Sequence, residues 1–254
     1  MKIRTLVAAA AVGFSMLLAE SVAAAEIKVL SVPPLKTSLD VLGPQFERAT
    51  GHKLVIKYAG SSDLIRQFAA GETFDVALIM PALFDQLLKQ GKVAAGTRAE
   101  VARAALGVAV KKGAPKPDIS TADAFKRTLL SVKSISHSAE GASGTYVRSL
   151  IERLGIAAEI TPKLMPMQGG PLVVGPVARG EVEIAVISIP FILVEPGAEL
   201  VGPLPEELQQ YVVYTAGVSA ATEQPDAAKT FIKHLTSPAA ASVIKSNGFE
   251  PVTS

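Results

Sequence analysis

Tyr58-Ala59-Gly60-Ser61-Ser62-Asp63-Leu64-Ile65-Arg66-Gln67-Phe68 reads as a junction between a strand and a helix. Upstream of it, Lys53-Leu54-Val55-Ile56-Lys57-Tyr58 alternates and carries β-branched residues, which predicts a strand. Downstream, Leu64, Ile65 and Phe68 recur at helical spacing. Gly60-Ser61-Ser62 lies between them. A strand that ends in a small, hydroxyl-rich turn and enters a helix brings free backbone N–H groups and side-chain O–H donors to one point. The helix dipole adds partial positive charge there, so an anion can be held without a cationic side chain. The competing reading of the same residues is a serine-capped surface helix.

The pattern repeats along the chain. Glu26 to Val32 reads as a strand, Leu39 to Ala49 as a helix, and Asp75 to Met80 as a buried parallel strand. A further helix is expected over Ala82–Lys89. Strand and helix alternating in this way predict an α/β layer with a mostly parallel sheet. Gly43-Pro44 predicts a kink or a late start in the first helix. The second half carries a similar unit. A short strand over Val132–Ser136 leads into His137-Ser138-Ala139-Glu140-Gly141-Ala142-Ser143-Gly144-Thr145, and a helix follows from Tyr146. Ile184 to Ser188 reads as a buried strand and Gln210 to Val218 as a strand returning to the first half. The polar, proline-bearing loop Lys111–Asp118 is a candidate domain boundary. Two α/β lobes, each with a polar turn at a helix start, predict a ligand in the cleft between them.

The amino terminus predicts export. Met1-Lys2-Ile3-Arg4 is basic, Leu6 to Leu18 is apolar but short for a membrane span, and Ser21-Val22-Ala23-Ala24-Ala25 offers a cleavage site. Residues 1–25 therefore read as a signal peptide, with the mature chain beginning near Glu26. There is no cysteine, which excludes disulfides and a lipid anchor on the mature chain. The formal charge of +2 becomes +1 once Lys2, Arg4 and Glu20 are removed, and no block of like charge argues for a nucleic-acid partner. His52, His137 and His234 are far apart, so no metal-ligand spacing is present and no cofactor is expected. Gly141-Ala142-Ser143-Gly144 is not a hydrolase elbow and no phosphate-cradling loop occurs, so the chain is not expected to be an enzyme.

Taken in order, several segments resemble the periplasmic molybdate-binding proteins of ABC importers, which have the type II periplasmic binding fold. They are Val32-Pro33-Pro34-Leu35, Ser61-Ser62-Asp63-Leu64-Ile65-Arg66-Gln67, Phe74 to Ile79, Gly144-Thr145-Tyr146 with Leu154-Gly155, Gly180-Glu181-Val182-Glu183, Ser237-Pro238 and Gly248-Phe249. The resemblance implies a two-lobed α/β protein with a ligand cleft between lobes, one lobe formed by 26–106 and 215–254, the other by 107–214. It implies a monomeric periplasmic binding protein that captures a small anion for an inner-membrane permease. The alternative is a ligand-sensing accessory protein on the same fold.

That family holds its oxyanion with serine hydroxyls, backbone N–H groups and a tyrosine. Its positions fall here on Pro34, Ser61, near Ser143, near Gly169, and on Ser188 for the tyrosine. Lys36, Ser62, Gly144 and Thr145, beside the two turns, complete the candidate set. Pro34 offers neither O–H nor N–H. Two donors are lost, and hydroxyls are gained at Ser143 and Ser188. Each missing donor to a buried dianion costs about 1–3 kcal/mol. The expected ligand is thus a molybdate- or tungstate-type oxyanion or a small organic acid, the latter filling space that the tyrosine would occupy.

Overall fold

A computed structural model describes residues 24–252; the leader expected over 1–25 lies, up to residue 23, outside the described residues. Ala25 is already part of the fold. It is buried, its N–H donates to His52 Nδ1 (3.1 Å), and its carbonyl accepts from the Lys53 N–H (2.8 Å).

The elements run β1 (Glu26–Ser31), α1 (Lys36–Thr50), β2 (Lys53–Tyr58), α2 (Ser61–Ala69), β3 (Val76–Ile79), α3 (Pro81–Lys89) and β4 (Ala99–Lys111). Then come α4 (Ala122–Ser131), β5 (Ile135–Ser138), α5 (Gly141–Arg153), α6 (Ala157–Ile160), β6 (Leu164–Met167), α7 (Gly170–Arg179), β7 (Ile184–Ser188), α8 (Ile189–Leu193) and β8 (Ala198–Pro203). The chain closes with β9 (Tyr211–Val218), α9 (Pro225–Leu235), α10 (Pro238–Ser246) and β10 (Glu250–Pro251).

The strands lie in the order β2-β1-β3-β9-β4-β7-β5-β6, with β8 and β10 also paired to β4. In the first lobe β1 pairs in parallel with β2 and β3, and in the second β5 pairs in parallel with β6 and β7. The long strand β4 joins them. Residues Ala99–Ala105 pair with β9, and from Leu106 onward the same strand pairs with β7 and then β8. The return is made by β9, which pairs with β4 from Tyr211. The loop Lys111–Asp118 is not a boundary. It lies within the second lobe, where the Lys112 N–H donates to Gly197 O (2.9 Å) and the Gly113 N–H to Glu199 (3.2 Å). A composition shift marks that loop, whereas the crossing is made by an apolar strand with no change in composition.

Helix α1 differs from expectation in starting early, at Lys36, and running through Pro44. Proline removes one helix hydrogen bond, to the carbonyl of Asp40. Both residues are exposed, so the lost bond falls on the solvent face of the helix. The opposite face of α1 carries Leu39, Leu42 and Phe46 into the core. There the Phe46 ring meets Phe231 of α9 edge-on, with centroids 5.0 Å apart.

The fold positions the site through the strand ends. In both lobes the parallel strands point their carboxyl ends the same way, as in other open α/β sheets. β1 ends at Val32-Pro33, β2 at Gly60-Ser61, β3 at Met80, β5 at Ser138, β6 at Gly169 and β7 at Ser188. All of these residues line one cavity between the lobes.

Candidate functional site

Helices α2, α5 and α7 bring both their caps and their first residues to this cavity, whereas α3 and α8 bring their caps, Met80 and Ser188, without their first residues. Helix α2 is capped by Gly60, α5 by Glu140 and α7 by Gly169. The first N–H groups of a helix have no intrahelical acceptor. At α2 these belong to Ser61, Ser62 and Asp63, at α5 to Gly141, Ala142 and Ser143, and at α7 to Gly170 and Leu172. Gly169 sits at φ 82°, a left-handed conformation that glycine adopts without a Cβ penalty. That conformation sets the chain direction into α7.

The cavity measures about 210 Å³. Its walls are largely apolar: Val32, Pro33, Pro34 and Met80 from the first lobe, Ile187 and Phe191 from the second, and Val212 from the returning strand. Among the described residues lining it, none is Lys, Arg or His. Cations nearby are engaged elsewhere. Lys36 is exposed, pairs with Asp40 at 2.7 Å and lies over the Tyr58 ring. Arg66 pairs with Asp63 one turn along α2. Arg148 donates to the Ala139 carbonyl (3.1 Å). Positive potential in the cavity therefore comes from helix starts.

Of the residues singled out from sequence, Pro34, Ser61, Ser143, Gly169 and Ser188 line the cavity together. The Ser61 hydroxyl has only the Met80 sulfur near it, at 4.0 Å, and is available to a ligand. Ser62 lines an adjoining pocket with Asp63, Arg66 and Gln168. Lys36 is outside the cavity lining. Gly144 is buried for a packing reason, since a Cβ there would lie 2.0 Å from the Ser138 carbonyl oxygen. Thr145 faces a neighbouring groove with Ile65, Leu83 and Gln86.

Three polar lining residues lie outside the candidate set, and the first, Ser138, spends its hydroxyl on the Glu140 carbonyl (2.7 Å). Tyr214 reaches the cavity from β9, beside Val212 two residues earlier on the same face. It is buried, and burial raises its phenol above the ordinary range while Ser188 opposes that shift. Its hydroxyl stays protonated and can donate. A tyrosine therefore lines the cavity from β9, a different strand from the one that ends at Ser188. Alternation along Gln210–Val218 was the available signal, but it does not say which face meets the cavity. The third is Glu140, the cap of α5, which lines the cavity while its carboxylate accepts from Ser62 (3.0 Å) and Gln168 (3.3 Å) in the adjoining pocket.

His137 is not a cleft cation. It is buried at the end of β5 with Nδ1 2.8 Å from the Ser138 carbonyl. Burial, reinforced by nearby Arg148, holds its pKa below the ordinary 6.5, while the Ser138 contact opposes that shift. A histidine kept neutral on folding stabilises above its unfolded pKa and loses that contribution as pH falls through the folded value. We expect the urea midpoint to fall below about pH 6.5 and the His137 ring, followed by NMR, to titrate lower than free imidazole. A ring midpoint at or above 6.5 would contradict this burial.

Comparison with known proteins places this geometry. Residues 27–250 match the family model described as bacterial extracellular solute-binding protein. An aconitate isomerase of Pseudomonas sp. is 32% identical over 232 residues, covering 89% of this chain and 88% of the relative. The molybdate-binding protein of Escherichia coli K12 is 24% identical over 228 residues, with 88% of each covered. The periplasmic molybdate-binding protein of Azotobacter vinelandii superposes with a TM-score of 0.73 at 20% identity, over 89% of this chain and 100% of that one. The fold is the two-lobed type II periplasmic binding architecture, and the chain belongs to the bacterial extracellular solute-binding protein family.

Proposed function

We propose that this protein is exported to the periplasm and captures a small organic polyanion, a tricarboxylate of the aconitate type, between its lobes. The observation that carries the reading is the convergence of three helix starts on an apolar cavity with no cationic side chain in its lining. Three separate clusters of N–H donors match three carboxylates better than one compact tetrahedral oxyanion. The apolar walls suit a carbon skeleton. Pro34 removes a donor that an oxyanion would need, and Tyr214 adds a neutral one at the floor. The 32% identity to an aconitate isomerase supports the same ligand class, against 24% to a molybdate-binding protein. Family membership supports delivery of the captured ligand to an ABC importer permease.

A thermal-shift panel on residues 24–254 tests the ligand. It comprises trans-aconitate, cis-aconitate, citrate, tricarballylate, molybdate, tungstate and sulfate. A ligand at a hundred times its Kd stabilises by about 2.7 kcal/mol, roughly 5–10 °C for a chain of this size. Shifts with tricarboxylates and none with molybdate or tungstate are expected. Shifts with the metal oxyanions alone would overturn the reading.

A further inference from the structure

Glu140 turns its side chain toward the other lobe rather than toward its own helix. It stands at the cap of α5, where Ser, Thr, Asp or Asn would bond the free N–H groups, yet its side chain makes no capping bond. The carboxylate lies at the rim of the cavity, in the adjoining pocket. Its Oε2 accepts from the Ser62 hydroxyl (3.0 Å) and its Oε1 from Gln168 Nε2 (3.3 Å). Ser62 is the second residue of α2, in the first lobe, whereas Glu140 and Gln168 belong to the second lobe. Among the described residues, this is the one side-chain hydrogen bond between α2 and the second lobe, and no ion pair joins the lobes. The bridge is anchored at its second-lobe end. Gln168 holds the far carboxylate oxygen, and the Glu140 carbonyl accepts from the Ser138 hydroxyl (2.7 Å). The starts of α2 and α5 carry partial positive charge, which favours a carboxylate placed between them.

We propose that Glu140 is a positioning residue that latches the two lobes together through Ser62, across the rim of the ligand cavity, and so slows ligand exchange. The inference goes beyond the capture reading and holds for any small anion in the cleft. Glu140 and Gly141 line both the cavity and the rim pocket, so the bridge stands where the two spaces meet. A bond between lobes opposes their separation, and a ligand enclosed between lobes leaves when they separate. The carboxylate also repels a bound anion. Charge and bond therefore act in opposite directions: the charge weakens capture and the bond prolongs it. Substitutions separate the two effects. Ser62→Ala removes the bond, keeps the charge and leaves the backbone N–H of residue 62 in place. Glu140→Gln removes the charge and keeps an acceptor for the Ser62 hydroxyl. Glu140→Ala removes both.

The test measures lobe separation in the full mature chain without ligand. The chain has no cysteine. Lys89→Cys in α3 and Glu152→Cys in α5, both exposed, therefore give one spin label in each lobe for pulsed electron-spin resonance. Ser62 and Glu140 are exposed as well, so their variants should fold. The labelled parent is expected to show mainly the shorter distance. Ser62→Ala and Glu140→Ala should each raise the ratio of longer to shorter distance by about two- to tenfold, the worth of one hydrogen bond. The double variant should go no further than either single one, because both remove the same bond. Glu140→Gln should stay near the parent. Release of trans-aconitate, followed by stopped-flow displacement, should be faster in Ser62→Ala by a similar factor. Unchanged distances in Ser62→Ala and Glu140→Ala, additive effects in the double variant, or unchanged release in Ser62→Ala overturn the latch. Failure of trans-aconitate to bind the parent overturns the tricarboxylate reading alone, since the distances are read without ligand.

Discussion

Aspartate at position 61 is expected to abolish anion capture while leaving the protein as stable as before, or slightly more so. Ser61 is the first residue of α2 and lines the cavity. A carboxylate there meets the positive end of the helix, which favours the folded state by about 0.3–1 kcal/mol. The same carboxylate competes for the N–H groups of Ser62 and Asp63 and repels the ligand. Two unit charges about 4 Å apart at an effective dielectric near 20 repel by about 4 kcal/mol, roughly a thousandfold in Kd. Ser61→Ala removes only one donor and is expected to weaken binding about tenfold. Calorimetric titration of both variants with trans-aconitate checks the order. An aspartate variant that binds like wild type would remove the start of α2 from the site.

The largest effect on stability is expected at Phe46. Its side chain is 0% exposed and is enclosed by Phe231, His52 and His234, with ring centroids 5.0, 5.9 and 5.7 Å away. The ring joins α1 to α9 and to the end of α1 near β2. Phe→Ala at such a site costs about 3–5 kcal/mol, from lost transfer free energy and the cavity left behind. That is a large share of the total stability of about 5–15 kcal/mol usual for a folded protein. Urea unfolding should show an unfolding free energy lowered by that amount, with the midpoint falling in proportion. Ligand affinity of the folded fraction should be unchanged, because no cavity-lining residue touches the Phe46 ring among its aromatic contacts. A loss below about 1 kcal/mol would mean that the α1 packing is looser than its burial indicates.

What could be read in the sequence followed local rules, and what could not depended on partners distant in the chain. The junction at Gly60-Ser61 was legible because a strand period, a hydroxyl-rich turn and a helical period meet within a dozen residues. The second site, at Ser138 to Ser143, repeats that logic. Lys36 is held by Asp40 four residues on, a helical pair whose spacing is visible in the sequence and takes the lysine away from the cavity. Glu140 was visible only as one polar loop residue. Its orientation is set by Ser62, 78 positions away. Tyr214 lies on a strand whose two faces look alike in sequence, and the pairing of β9 between β3 and β4 decides which one reaches the cavity. The crossing of β4 between lobes was hidden for the same reason, since Ala105-Leu106 is apolar on both sides of it.

A crystal structure of the mature chain grown with trans-aconitate tests the central claim most directly. The claim predicts one ligand in the inter-lobe cavity, with carboxylate oxygens within about 2.7–3.2 Å of N–H groups at the starts of α2, α5 and α7. The Tyr214 hydroxyl should donate to one of them. A ligand bound elsewhere, or a cavity that takes molybdate at the same N–H groups and excludes aconitate, would contradict it.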